Sequence, residues 1–106
     1  MNQGEVWLVN LNPTIGSEIN KTRPALIIND NKLGRLPLKV IVPITGWKEQ
    51  YSAAPWMIKI EPDQKNGLKK ISSIDCFQIR SVSQERLLEK IGEIQPDKIT
   101  NVQEGI

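Results

Sequence analysis

The sequence predicts a mostly β domain, a small barrel with a short C-terminal helix. Three observations point there. The apolar runs are short and rich in Val and Ile, as in Val6-Trp7-Leu8-Val9, Ala25-Leu26-Ile27-Ile28 and Val40-Ile41-Val42. Turn-forming residues interrupt them at Asn12-Pro13, Asp30–Pro37, Gly46–Pro55 and Glu61–Gly67. Helix signals are weak, and the spacing suits a barrel better than alternating βαβ units.

Strands are expected near Glu5–Asn10, Pro24–Asn29, Leu38–Ile44, Trp56–Ile60, Lys70–Ile74, Phe77–Val82 and Leu88–Ile94. The continuous runs at 25–28 and 40–42 read as central strands. Ile58 and Ile60 alternate with Met57 and Lys59, as on a half-buried strand. Trp7 and Trp56, lying within strands, are expected in the core. Ser83 can cap a single turn, although Glu85 falls one position early for a capping box. Pro96-Asp97 suits the start of a terminal helix, since proline is tolerated there and an acid favours the positive end of the dipole. So short a helix is marginal unless it docks.

At 106 residues the chain is expected to be one domain, residues 1–106. With 39% apolar and 25% charged residues, it has ordinary globular composition. A net charge of +2 permits a polyanionic partner without requiring one. The single cysteine, Cys76, excludes an intramolecular disulfide and a zinc cluster, and reads as a small strand residue rather than a nucleophile. There is no histidine, which removes Ser-His-Asp and Cys-His catalysis within the chain. Neither a leader pattern nor a run of membrane-spanning length is seen, so a cytoplasmic location is expected.

The stretch Gly16-Ser17-Glu18-Ile19-Asn20-Lys21-Thr22-Arg23-Pro24 carries the most chemistry. It places an acid, a hydroxyl and an arginine, expected at a buried edge, where a loop enters a strand. A guanidinium stays charged and presents a rigid fork of donors suited to phosphate oxygens. On the residues alone, a surface ion pair is the commoner use of such an arginine, and Thr45 reads as a β-branched strand end.

Gly16-Ser17-Glu18, then Arg23-Pro24 and a β-branched run, all after an opening strand and Asn12-Pro13, resembles the MazF/PemK toxins. These are small bacterial endoribonucleases of toxin–antitoxin pairs. Val42-Pro43-Ile44-Thr45 is similar to the family's third strand, and Trp56–Ile60 to the strand after its variable loop. Gln78-Ile79-Arg80-Ser81-Val82, with Glu85-Arg86-Leu87 beyond, resembles its Gln-(Ile/Val)-(Arg/Lys)-(Thr/Ser) strand and following turn. Four pieces in the right order, from Gly4 to about Thr100, make the resemblance specific.

The resemblance implies an SH3-like barrel of the MazF/PemK/CcdB kind that forms a homodimer. It implies sequence-specific cleavage of single-stranded mRNA without metal or other cofactor, leaving 2′,3′-cyclic phosphate and 5′-hydroxyl ends. A cognate MazE-like antitoxin, through an acidic disordered segment, is the implied second partner. Arg23 and Thr45 are carried over as catalytic. Glu18 is the best acidic candidate, for proton transfer or for reading a base edge, and is equally open to being a solvated loop acid. Ser17, Lys21, Trp47, Lys48, Phe77 and Gln78 are the RNA-binding candidates. Trp47 and Tyr51 either meet unstacked bases or cover the barrel end or dimer seam. Phe77 either stacks on a base or belongs to the core.

One position departs from the pattern. Several relatives carry an acid immediately before the Gln, where this chain has Phe77. Asp75 either replaces that acid or serves at the surface. Two other readings stand beside the nuclease. One is a gyrase-directed toxin on the same fold, whose C-terminal Trp-Gly-Ile compares with Glu104-Gly105-Ile106 here. The other is an antitoxin-binding relative without activity.

Overall fold

The computed structural model describes residues 2–12, 22–29 and 38–105. Seven strands follow one another as β1 (Glu5–Asn10), β2 (Thr22–Ile27), β3 (Leu38–Gly46), β4 (Met57–Ile60), β5 (Ser72–Asp75), β6 (Arg80–Ser83) and β7 (Leu87–Glu93). A helix, α1 (Pro96–Gly105), ends the chain. The strands pair antiparallel in the order β4-β5-β3-β2-β1-β7, with β6 also on β3. Among the described residues β4 and β7 do not pair, so the bent sheet is barrel-like without closing.

β3 is the shared strand. One edge pairs first with β6, Leu38 to Ile41, and then with β5, Ile44 to Gly46. The other edge pairs with β2. The Ile28 N–H donates to the Val40 carbonyl at 3.0 Å, so even-numbered residues of β3 turn their backbone groups toward β2. Pro43 therefore turns its nitrogen, which has no hydrogen, to the gap where β6 gives way to β5. A proline inside a central strand is tolerated at such a place.

Both faces of the sheet are buried, which explains the unbroken apolar runs. One face carries Val6, Leu26, Val42, Ile44, Ile60 and Ile74, closed by Val102 and Ile99 of α1. The other carries Val9, Leu11, Ala25, Ile27, Ile41, Val82 and Leu87. The marginal helix is stabilised by docking: Val102 is fully buried, and the Cys76 thiol donates to its carbonyl at 3.8 Å.

Two expectations need correction. Phe77–Val82 is not one strand: Cys76–Gln78 form a 3-10 turn because the Asp75 carboxylate accepts the Phe77 N–H at 3.1 Å, and β6 begins at Arg80. Trp56 lies before β4 and is exposed rather than core. Trp7 meets its expectation in part: it packs against the second core face while half-buried, with its indole N–H turned to Glu5.

The 61–68 loop is locked onto β7. Asn66, fully buried, accepts from the Asp63 and Leu68 N–H groups and donates to the Glu61 carbonyl, while the Glu93 N–H donates to the Lys65 carbonyl. Gly92 permits this contact, since a Cβ there would lie 2.3 Å from the Asn66 carbonyl carbon. Gly92→Ala is expected to cost about 1–3 kcal/mol, as overpacking does, read from the urea midpoint.

Glu5 is a second anchor. Burial alone would raise its carboxyl, but hydrogen bonds from the Trp7 indole and the Asn2 N–H, with the charge of Lys90 3.4 Å away, hold it at about 2. A depressed carboxyl contributes stability above its unfolded value of 4.5, and that stability is lost as pH falls toward 2. Glu5→Gln is expected to flatten the acid limb of stability against pH and to lower the urea midpoint at neutral pH.

Candidate active site

β2 and β3 end side by side. Their last pair is Ala25 with Pro43, and two residues further along stand Arg23 and Thr45. Alternation puts both on the face that carries Ala25, Ile27 and Ile41. Arg23 lies inside β2, paired with Val9, because β1 extends that strand back to Thr22. It is exposed, not at a buried edge, and forms no ion pair among the described residues. Thr45 is half-buried. Ser17, Glu18 and Lys21 lie outside the described residues. The Arg86 guanidinium donates to the Asn10 and Asn12 carbonyls, fixing the point where the chain leaves β1.

The sheet extends this site sideways. Thr45 pairs with Ser73 of β5, and Ser73 pairs with Lys59 of β4, so the three form a row on one face. Ser73 is fully buried and donates to the Met57 sulfur at 3.4 Å. Lys59 is exposed, and its ammonium lies 5.1 Å from the centre of the Trp47 ring. Trp47 is half-buried and meets Tyr51 edge to face at 5.9 Å. Lys48 is exposed just beyond. Sequence reading missed Lys59 because only the β3-β5-β4 register brings it alongside Thr45.

Beyond β5, Asp75 is buried rather than at the surface. One carboxylate oxygen caps the Phe77 N–H, and the other accepts from Gln78 Nε2 at 3.0 Å. Asp75 therefore orients Gln78. Phe77 is not core: it is 76% exposed, tilted against exposed Trp56 with ring centres 5.6 Å apart. Burial, and then the charge of Asp75, raise the Cys76 thiol above its ordinary range, which keeps it protonated and unsuited to attack. Among the described residues, no three His, Cys, Asp or Glu side chains stand together as metal ligands.

A model of the PemK-like, MazF-like toxin of type II toxin-antitoxin systems matches residues 2–106. The chain belongs to this family. It is 33% identical over 104 residues to the Escherichia coli endoribonuclease PemK, covering 95% of this chain and 74% of that one. It is 29% identical over 113 residues to endoribonuclease MazF9 of Mycobacterium tuberculosis, covering 100% and 92%. The fold matches MazF from Deinococcus radiodurans with a TM-score of 0.78 at 22% identity, over 99% and 91% of the two chains. A mycobacterial endoribonuclease solved with its cognate antitoxin matches at 0.75 and 17% identity, over 99% and 89%. The SH3-like toxin barrel expected from the motifs is thus the fold found.

The turn at 76–78 depends on one carboxylate. Asp75→Ala, which removes the acceptor of the Phe77 N–H, is expected to cost about 1–3 kcal/mol by urea unfolding. Asp75→Asn keeps one acceptor oxygen and is expected to lose less.

Proposed function

We propose that this toxin is a metal-independent endoribonuclease that cuts single-stranded RNA at the shared end of β2 and β3. The observation that carries the reading is the placement of Arg23 and Thr45 on one face of that end. In the proposed reaction the RNA 2′-oxygen forms a bond to the adjacent phosphorus and the bond to the 5′-oxygen breaks. The proton of the 2′-hydroxyl is removed, and another is delivered to the departing 5′-oxygen. The products are a 2′,3′-cyclic phosphate and a 5′-hydroxyl.

Arg23 presents its fork of N–H donors to the non-bridging oxygens, where charge accumulates in the phosphorane. Thr45 adds a hydroxyl donor from the neighbouring strand. Arginine is a poor base, with a pKa above about 12. Glu18 is therefore the candidate to accept the first proton. Phe77 offers its exposed face to a base, a contact worth about 1–3 kcal/mol and tolerant of sequence. Gln78, set by Asp75, supplies an amide for base-edge recognition. Ser17, Lys21, Trp47 and Lys48 complete the RNA-facing set. The working form is a homodimer in the cytoplasm, restrained by an antitoxin whose acidic segment occupies the RNA groove. Relatives solved with a cognate antitoxin support that partner.

The test incubates purified protein with a long single-stranded RNA in excess EDTA and maps every new 5′ end. Discrete cuts bearing 5′-hydroxyls are expected. Arg23→Ala and Thr45→Ala should each lower cleavage at least about a hundredfold, the scale of a lost oxyanion donor, while the dimer persists. Cleavage by both at the wild-type rate would refute the site. Glu18→Ala is expected to weaken cleavage or relax its sequence choice.

A further inference from the structure

We infer that Lys59, held over the face of Trp47, is a second phosphate contact, so that the toxin grips the RNA backbone on either side of buried Ser73. The inference rests on the reading of the chain as an RNA-cutting toxin and extends its binding site by one strand pair. Thr45, Ser73 and Lys59 occupy one row across β3, β5 and β4. Thr45 and Lys59 are thus two strand spacings apart, roughly 10 Å. That places a cation beside the Arg23–Thr45 end but clear of it, where a neighbouring phosphate of the same strand would run.

Three features single out Lys59 from the other lysines. It is exposed and forms no ion pair among the described residues, so its charge is not neutralised by a neighbouring acid. Its ammonium sits 5.1 Å from the Trp47 ring centre, an attraction that limits where a long flexible side chain can go. The ring is kept there at a cost. The Trp47 indole N–H is buried and has no acceptor among the described residues. A phenyl ring would avoid that penalty, so packing alone does not explain an indole here. Its stronger π-face for a cation does. Ser73, whose hydroxyl is turned to Met57, contributes small size rather than a contact with RNA. Lys59 is thus a binding residue for the backbone, and Trp47 is its positioning residue.

The experiment measures binding of a fluorescent 2′-O-methyl oligonucleotide that spans the mapped cleavage sequence and cannot be cut. Affinity is followed against salt for the wild type, Lys59→Gln, Lys59→Arg, Trp47→Leu and Trp47→Phe. One phosphate contact on single-stranded nucleic acid contributes a salt exponent of about 0.7, close to a five-fold effect at ~0.1 M salt. Lys59→Gln is expected to weaken binding by about that factor and to flatten the salt slope by about 0.7, with the loss falling on KM more than on kcat. Lys59→Arg should keep the wild-type slope. Trp47→Leu should reproduce at least part of the Lys59→Gln change, and Trp47→Phe, with its weaker π-face, should fall between Trp47→Leu and the wild type. A wild-type slope in folded Lys59→Gln would overturn the Lys59 assignment while leaving the nuclease standing. Failure of the wild type to cut RNA or bind the oligonucleotide would overturn both.

Discussion

β3 is the constraint on which the rest depends. Its residues hydrogen-bond to β2 along one edge and to β6 and then β5 along the other. Every strand with a candidate site residue is β3, pairs with β3, or reaches it through one neighbour. The change of partner at Pro43 is chemically permitted because the missing N–H falls where neither β6 nor β5 needs it. The same change carries the sheet from β3 onto β5 and then β4, beside the Arg23 end of β2. Position along β3 thus becomes position in the site.

Around this trunk the fixed parts are polar and local. Asn66 satisfies the turn beneath β7, Glu5 ties the start of β1 to Trp7 and Lys90, and Asp75 holds the turn bearing Phe77 and Gln78. Buried carboxylates and amides of this kind stabilise only when their partners are complete, because an unmet buried polar group costs more than a satisfied one gains. Asp75 shows how such an anchor serves a surface. Its burial orients an exposed ring and an amide without itself facing solvent.

The proposed site divides into a chemical end and a binding flank. At the chemical end an exposed guanidinium and a half-buried hydroxyl share a face, a combination suited to charge on a phosphate and independent of histidine. The flank offers cations and aromatic faces, with Trp47 under Lys59 on one side and Trp56 against Phe77 on the other. Aromatic faces accept any base, so in the proposed reading sequence choice falls to polar edges such as Gln78.

The sequence alone determined the strand series, because short β-branched runs cut by Gly, Pro, Asn and Asp have few other outcomes. It determined the family as well, since Gly16-Ser17-Glu18, Arg23-Pro24, Thr45 and Gln78 fall in a set order. It excluded histidine and disulfide chemistry by count. Tertiary structure decided what depends on register and burial. Trp56 and Phe77 read as core candidates by composition, yet the Asp75-capped turn and the late start of β4 leave both exposed. Arg23 moved from a strand mouth into β2 because β1 offered it a partner. Lys59, fourteen positions beyond Thr45, joined the site because two strand pairings add across the sheet. Local pattern specifies elements, but only the pairing of distant backbone groups specifies which side chains become neighbours.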